Sequence, residues 1–118
     1  MTGSSTEGIK TVLVPVSDLA PAKTLYMALL GGPPTADAPY YVGFDAGGQH
    51  IGLVPQGGPQ AMTSPVVYWH VADIEAKLAE VTAAGATVKE RPRNVGNGRL
   101  VATVTDADGN VLGLLQDP

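Results

Sequence analysis

The feature that most constrains this chain is an internal repeat. Val14-Pro15-Val16-Ser17-Asp18-Leu19 returns 55 residues later as Trp69-His70-Val71-Ala72-Asp73-Ile74. Ile51-Gly52-Leu53-Val54 returns 61 residues later as Leu112-Gly113-Leu114-Leu115. The chain has 118 residues, which is the length of one ordinary domain. A repeat inside so short a chain points to two copies of one supersecondary unit, each about 50 residues long.

The pattern within each copy is strand, helix, strands. Ile9 to Val16 reads as a strand. Ser17 and Asp18 offer side-chain oxygens to the free N–H groups of a following helix. Leu19 to Leu30 carries apolar residues at Ala22, Leu25, Tyr26 and Leu29, a helical spacing, and Gly31-Gly32-Pro33-Pro34 stops it. A weak strand over Thr35 to Ala38 precedes a hairpin of Tyr40 to Phe44 and Gln49 to Val54, turned at Ala46-Gly47-Gly48. The second copy opens with a strand at Val66 to Val71 and an N-cap at Asp73. Ile74, Leu78 and Val81 then share a helix face that ends at Gly85. Strands follow at Ala86 to Lys89, Arg99 to Thr105 and Val111 to Gln116. The expected layout is a flexible tail at 1–8, a first module at about 9–55, a linker at 56–64 and a second module at about 65–116. The fold class is α+β, two tandem βαβββ modules.

Charge and composition remove several function classes. The net charge is −4, and the seven basic residues are scattered. A nucleic-acid binder needs them clustered to displace counterions, so nucleic acid is not an expected partner. No apolar run approaches the ~20 residues of a membrane span, and the polar start, Met1 to Gly8, has no secretory pattern. No membrane partner is expected. The absence of cysteine excludes disulfides and thiolate chemistry and fits a cytoplasmic protein.

The chain resembles the vicinal oxygen chelate superfamily, the group of glyoxalases, bleomycin-resistance proteins and extradiol dioxygenases. Three pieces carry the resemblance: Val16-Ser17-Asp18-Leu19 before a helix ending Leu30-Gly31; His70 to Ile74 before a helix ending Ala83 to Gly85; and the late turn Asp106 to Asn110 before an apolar strand. It covers about Ile9 to Gln116. The resemblance implies two βαβββ modules whose curved sheets form a cup, and a homodimer. It also implies four metal-ligand positions, which fall here on Thr11, Gly52, Val66 and Gly113. Glycine and valine have no donor atom, and a threonine hydroxyl is a poor ligand beside imidazole or carboxylate. No metal and no cofactor is therefore expected. On this reading all eleven acidic residues lie in helices, turns, loops or termini, so no strand interior supplies a carboxylate to the cup.

The candidate contacts follow from strand alternation, which puts every second residue on one face. From Val66 the cup face continues through Tyr68 and His70. From Gly52 it includes His50 and Val54. The ligand-binding candidates are Thr11, His50, Gly52, Val66, Tyr68, His70 and Gly113. A histidine here could be a general base or one of a pair of metal ligands, or a hydrogen-bonded strand-end residue. Tyr68 could wall a ligand or pack in the core, whereas the alternation turns Trp69 toward the helix layer. Gly52 and Gly113 could enlarge the cup or mark a close approach of strands. Asp106 to Asn110 reads as a hairpin turn, since a calcium loop would need further oxygen ligands. The function expected is metal-free binding of a small, partly apolar organic molecule, with antibiotic or metabolite sequestration as one form. The alternative is a glyoxalase-, lyase- or isomerase-type enzyme using His70 or His50, or one with a displaced metal site.

Overall fold

The computed structural model describes residues 6–56 and 64–118. The elements, in chain order, are β1 (Ile9–Val16), α1 (Leu19–Leu30), β2 (Ala36–Ala38), β3 (Tyr41–Ala46), β4 (Gln49–Pro55), β5 (Val66–His70), α2 (Ile74–Ala83), β6 (Thr87–Asn94), β7 (Leu100–Thr105) and β8 (Val111–Gln116). This is βαβββ twice, in the expected α+β class. Most of the expected linker, 57–63, lies outside the described residues, as do 1–5 of the expected tail. Glu7 and Gly8 are bonded to β5: the Glu7 N–H donates to the His70 carbonyl at 2.8 Å and the His70 N–H to the Gly8 carbonyl at 3.0 Å. The chain divides into two compact units, Thr11–Val66 and Val67–Pro118 together with the residues up to Lys10.

In the first unit the strand order is β2-β3-β4-β1, with β1 parallel to β4 and the others antiparallel. The β3–β4 turn has two residues, Gly47 and Gly48, at φ 58° and 80°. Two successive positive φ values make the tight turn whose twist suits a hairpin, and glycine adopts them without strain. That turn fixes the register that sets Asp45 opposite His50. Helix α1 starts at Asp18, whose carboxylate accepts the Ala20 N–H at 3.2 Å. It ends at Gly31, left-handed at φ 82°, with its N–H donated to the Met27 carbonyl at 2.9 Å. Val42, Phe44 and Leu53 form the buried core, covered by Leu19, Ala22, Tyr26 and Leu30 of the helix. Tyr26 stacks on Phe44 with ring centroids 6.3 Å apart.

The helical spacing of Ala22, Leu25, Tyr26 and Leu29 does not by itself give the buried face: Ala22 and Tyr26 pack on the core, whereas Leu25 and Leu29 are 63% and 69% exposed. In Leu19 to Leu30 apolar residues stand on nearly every side, so periodicity alone does not fix which stripe faces the sheet. The packing of Tyr26 onto Phe44 decides it.

In the second unit the order is β5-β8-β7-β6, with β5 parallel to β8 and the rest antiparallel. The Asp73 carboxylate accepts the Ala76 N–H at 3.0 Å, and the Gln116 side chain accepts the Ile74 N–H at 2.7 Å, tying the start of α2 to β8. Val71, Ile74, Leu78, Ala102, Val104 and Leu114 form the core, with Trp69 and Val81 packed against it. Trp69 thus faces the helix layer, as its alternation requires.

Strand β6 is twice the expected length. It runs on through Glu90, Arg91, Pro92 and Arg93, with register shifts on either side of Glu90. Charges and a proline read as a loop, but β6 ends the strand order, and an edge strand tolerates a proline that donates nothing to the ladder. The expectation that no strand carries a carboxylate is therefore wrong. Asp37, Asp45 and Glu90 all lie in strands.

Candidate functional site

Each unit uses one face of its sheet against its own helix, so the candidate residues lie on the other face. They divide between the units: Thr11, His50, Gly52 and Val66 in the first, Tyr68, His70 and Gly113 in the second.

In the first unit, Thr11 is buried and is the register partner of His50. On β3 the alternation that buries Val42 and Phe44 turns Tyr41, Gly43 and Asp45 to the same face as His50 and Gly52. Gly43 and Gly52 leave room there for the Tyr41 ring. A Cβ at Gly52 would stand 2.8 Å from Tyr41 Cε1 and 2.7 Å from Leu13 Cδ2. A Cβ at Gly43 would stand 2.9 Å from Tyr41 Cε2 and 2.8 Å from His50 Cε1. The expected choice for Gly52 was an enlarged cup or a strand crossing. The structure gives a third reason, a tyrosine ring of the neighbouring strand laid over the glycine.

That tyrosine completes a chain of hydrogen bonds. The Tyr41 hydroxyl is bonded to His50 Nε2, and the two rings lie nearly parallel, 13° apart with centroids at 6.0 Å. His50 Nδ1 lies 2.9 Å from Asp45 Oδ1, and the Thr35 hydroxyl donates to Asp45 Oδ2 at 2.8 Å. The bond from His50, helped by the one from Thr35, holds the Asp45 carboxyl below the usual carboxylate range. An ionised carboxylate can only accept, so Nδ1 carries a proton, and in that tautomer of the uncharged imidazole Nε2 is the acceptor that faces the Tyr41 hydroxyl.

In the second unit the ladder aligns Tyr68, Gly113, Thr103 and Glu90 in one row across four strands. The Tyr68 ring lies on Gly113, where a Cβ would stand 2.7 Å from Cε2 and 2.8 Å from Cγ. Tyr68 is only 4% exposed. Burial pushes its hydroxyl pKa up, the Glu90 charge adds to this, and Arg93 opposes it. The buried Thr103 donates its hydroxyl to Glu90 Oε1 at 3.1 Å. His70 Nδ1 lies 3.7 Å from Asp117 Oδ2, while Asp117 Oδ1 accepts from Arg99 Nε at 2.7 Å. Burial lowers the His70 pKa against the pull of Asp117.

Three of the four metal-ligand positions that the resemblance implies, Val66, Gly52 and Gly113, do not fit a metal. Val66 is buried and without a donor, and a ligand side chain at Gly52 or Gly113 would collide with a tyrosine. Among the described residues no group of three or more histidine, aspartate or glutamate side chains could hold an ion. Asp106 is also committed elsewhere, as its carboxylate accepts three bonds, from Asp108 and Asn110, at 2.9 Å each.

Asp45, Glu90 and Thr103 were not among the candidate residues. Asp45 had a signal: extending β3 past Phe44 to the Gly47-Gly48 turn puts it opposite His50, on the face that Tyr41 shares.

Residues 8–114 match the Glyoxalase/Bleomycin resistance protein/Dioxygenase superfamily. No curated protein matches the chain. Among solved structures, methylmalonyl-CoA epimerase from Mycobacterium tuberculosis is similar with a TM-score of 0.79 at 18% identity, over 100% of this chain and 93% of that one. A hypothetical protein from Bacillus halodurans is similar with a TM-score of 0.78 at 17% identity, over 98% and 96%. Methylmalonyl-CoA epimerase from Streptomyces coelicolor follows at 0.73 and 16%, over 96% and 99%. Identities of this size establish the fold and leave the reaction open.

Proposed function

The chain belongs to the glyoxalase/bleomycin resistance protein/dioxygenase superfamily, and from that premise we propose that it binds a small, partly apolar organic molecule without a metal ion. One observation carries the reading: at both glycines that stand in metal-ligand positions, a tyrosine of the adjacent strand covers the backbone. The helix-free faces carry a few polar groups, His50 and Tyr41 beside Leu13 on one and Glu90 in a row with the Tyr68 ring on the other. Such a mixture suits an organic molecule with one or two polar handles. Sequestration of an antibiotic or metabolite is one form of this function. The test is a thermal-stability screen against small organic molecules with and without chelator. A ligand that binds only the folded chain raises the melting temperature, and the reading expects that rise to survive chelator. A rise that chelator abolishes would sink it.

A second reading, a proton-transferring enzyme of the isomerase or lyase type using His50, is favoured by the bonding of His50 between Asp45 and Tyr41. Epimerases among the structural relatives agree with it. We also propose a cytoplasmic homodimer. The absence of cysteine suits the compartment, and no helix among the described residues is long and apolar enough to cross a membrane. Self-association would cover the exposed Leu25 and Leu29 on α1. Light scattering should give twice the 12.1 kDa of one chain; the chain mass itself at micromolar concentration would refute the dimer.

A further inference from the structure

We propose that Tyr41, His50 and Asp45 form a general-base relay whose working atom is the Tyr41 phenolic oxygen. The geometry assigns each role. Asp45 accepts from His50 Nδ1 at 2.9 Å and is itself fixed by the Thr35 hydroxyl at 2.8 Å. With its proton on Nδ1, His50 presents the lone pair of Nε2 to the Tyr41 hydroxyl. The phenolic proton therefore has a poised acceptor, and the imidazolium formed would lie against the Asp45 carboxylate. Tyr41 is half-buried and its ring rests on Gly43 and Gly52. The oxygen is thus held above bare backbone, on the face of the sheet that α1 does not cover.

The step balances without a metal or a redox partner. The Tyr41 oxygen takes a proton from a bound substrate as the original phenolic proton passes to His50 Nε2. The electron pair of the broken bond stays on the substrate. Return of a proton by the reverse route restores the resting relay. Tyr41 would touch the substrate; His50 and Asp45 act through it. The inference shares its site with the second functional reading, but its test uses a chemical probe. A ligand screen that fails therefore leaves it standing, and its own failure leaves metal-free binding standing.

The neighbouring Tyr40 supplies the control, because it is 74% exposed and outside the relay. The probe is N-acetylimidazole, which acetylates phenols. The phenolic O–C bond forms, the acetyl C–N bond breaks, the phenolic proton goes to His50 and the released imidazole takes one from water. Mass spectrometry of the labelled chain follows the two tyrosines separately. If Tyr41 is only a structural hydrogen-bond donor, its burial and bonding make it slower than Tyr40. The relay makes Tyr41 faster by about tenfold or more. His50→Gln and Asp45→Asn should each remove that advantage and leave the Tyr40 rate unchanged; Asp45→Asn keeps the imidazole and its stacking should the first variant disturb the hairpin. Tyr40 reacting faster than Tyr41 in the native chain, or a Tyr41 rate indifferent to both substitutions, would overturn the proposal.

Discussion

The two modules begin from one sequence pattern and finish with different chemistry. Each places a glycine in its last strand, Gly52 in one and Gly113 in the other, and each lays a tyrosine over it. In the first module the tyrosine comes from β3, is half-buried, and ends a chain of polar side chains reaching Asp45, which is largely exposed. In the second it comes from β5, is almost fully buried, and stands in a row with Thr103 and Glu90. A repeated backbone therefore does not repeat the site. The strand that donates the covering ring decides whether that ring serves packing or proton transfer.

Truncating the two rings separates these roles most strongly. Tyr68→Ala empties a buried space and should cost about 3–5 kcal/mol in denaturant unfolding. Tyr41→Ala removes a half-buried ring and one hydrogen bond and should cost about 1–2 kcal/mol. Equal costs would erase the distinction. Filling the glycines is the converse. At Gly113 an added methyl meets Tyr68 Cγ, close to the backbone that anchors the ring, so the ring cannot swing aside. Gly113→Ala should cost about 1–3 kcal/mol. At Gly52 the methyl meets the hydroxyl end of Tyr41, and the flexible end of a half-buried side chain can yield. The smaller loss is expected there, and a larger loss at Gly52 would reverse the assignment.

The smallest effect is in pH dependence. Burial lowers the His70 pKa in the folded chain, whereas the unfolded chain titrates near ~6.5. The unfolded state then binds more protons, so His70's contribution is intact above that value and is lost as pH falls through it toward the folded pKa. His70→Gln should flatten the pH dependence of unfolding midpoints just below pH ~6.5. An unchanged slope in the variant would mean that His70 is not desolvated.

The repeat, the two Asp caps and the apolar strands were legible because each rests on local chemistry. Asp18 and Asp73 cap their helices through the nearest free N–H groups. What escaped depends on contacts between elements. The phase of α1 is set by Tyr26 meeting Phe44, which Leu25 and Leu29 do not reveal. Strand β6 was hidden because Pro92 and its charged neighbours are allowed only by an edge position. Of the candidate residues, the family resemblance pointed to both glycines, and strand alternation from them to His50 and Tyr68. Ending the strand at Phe44 hid Asp45 and, with it, the relay to Tyr41.

The central claim is that this member of the superfamily holds its site together with tyrosines where a metal would require ligands. Elemental analysis of the purified chain, paired with unfolding in the presence and absence of chelator, tests it directly. The account predicts no stoichiometric zinc, nickel, iron or manganese and an unchanged melting temperature, because a tightly bound ion would stabilise the fold and its removal would lower the midpoint. One such ion per chain, with a chelator-dependent fall in the midpoint, would contradict it.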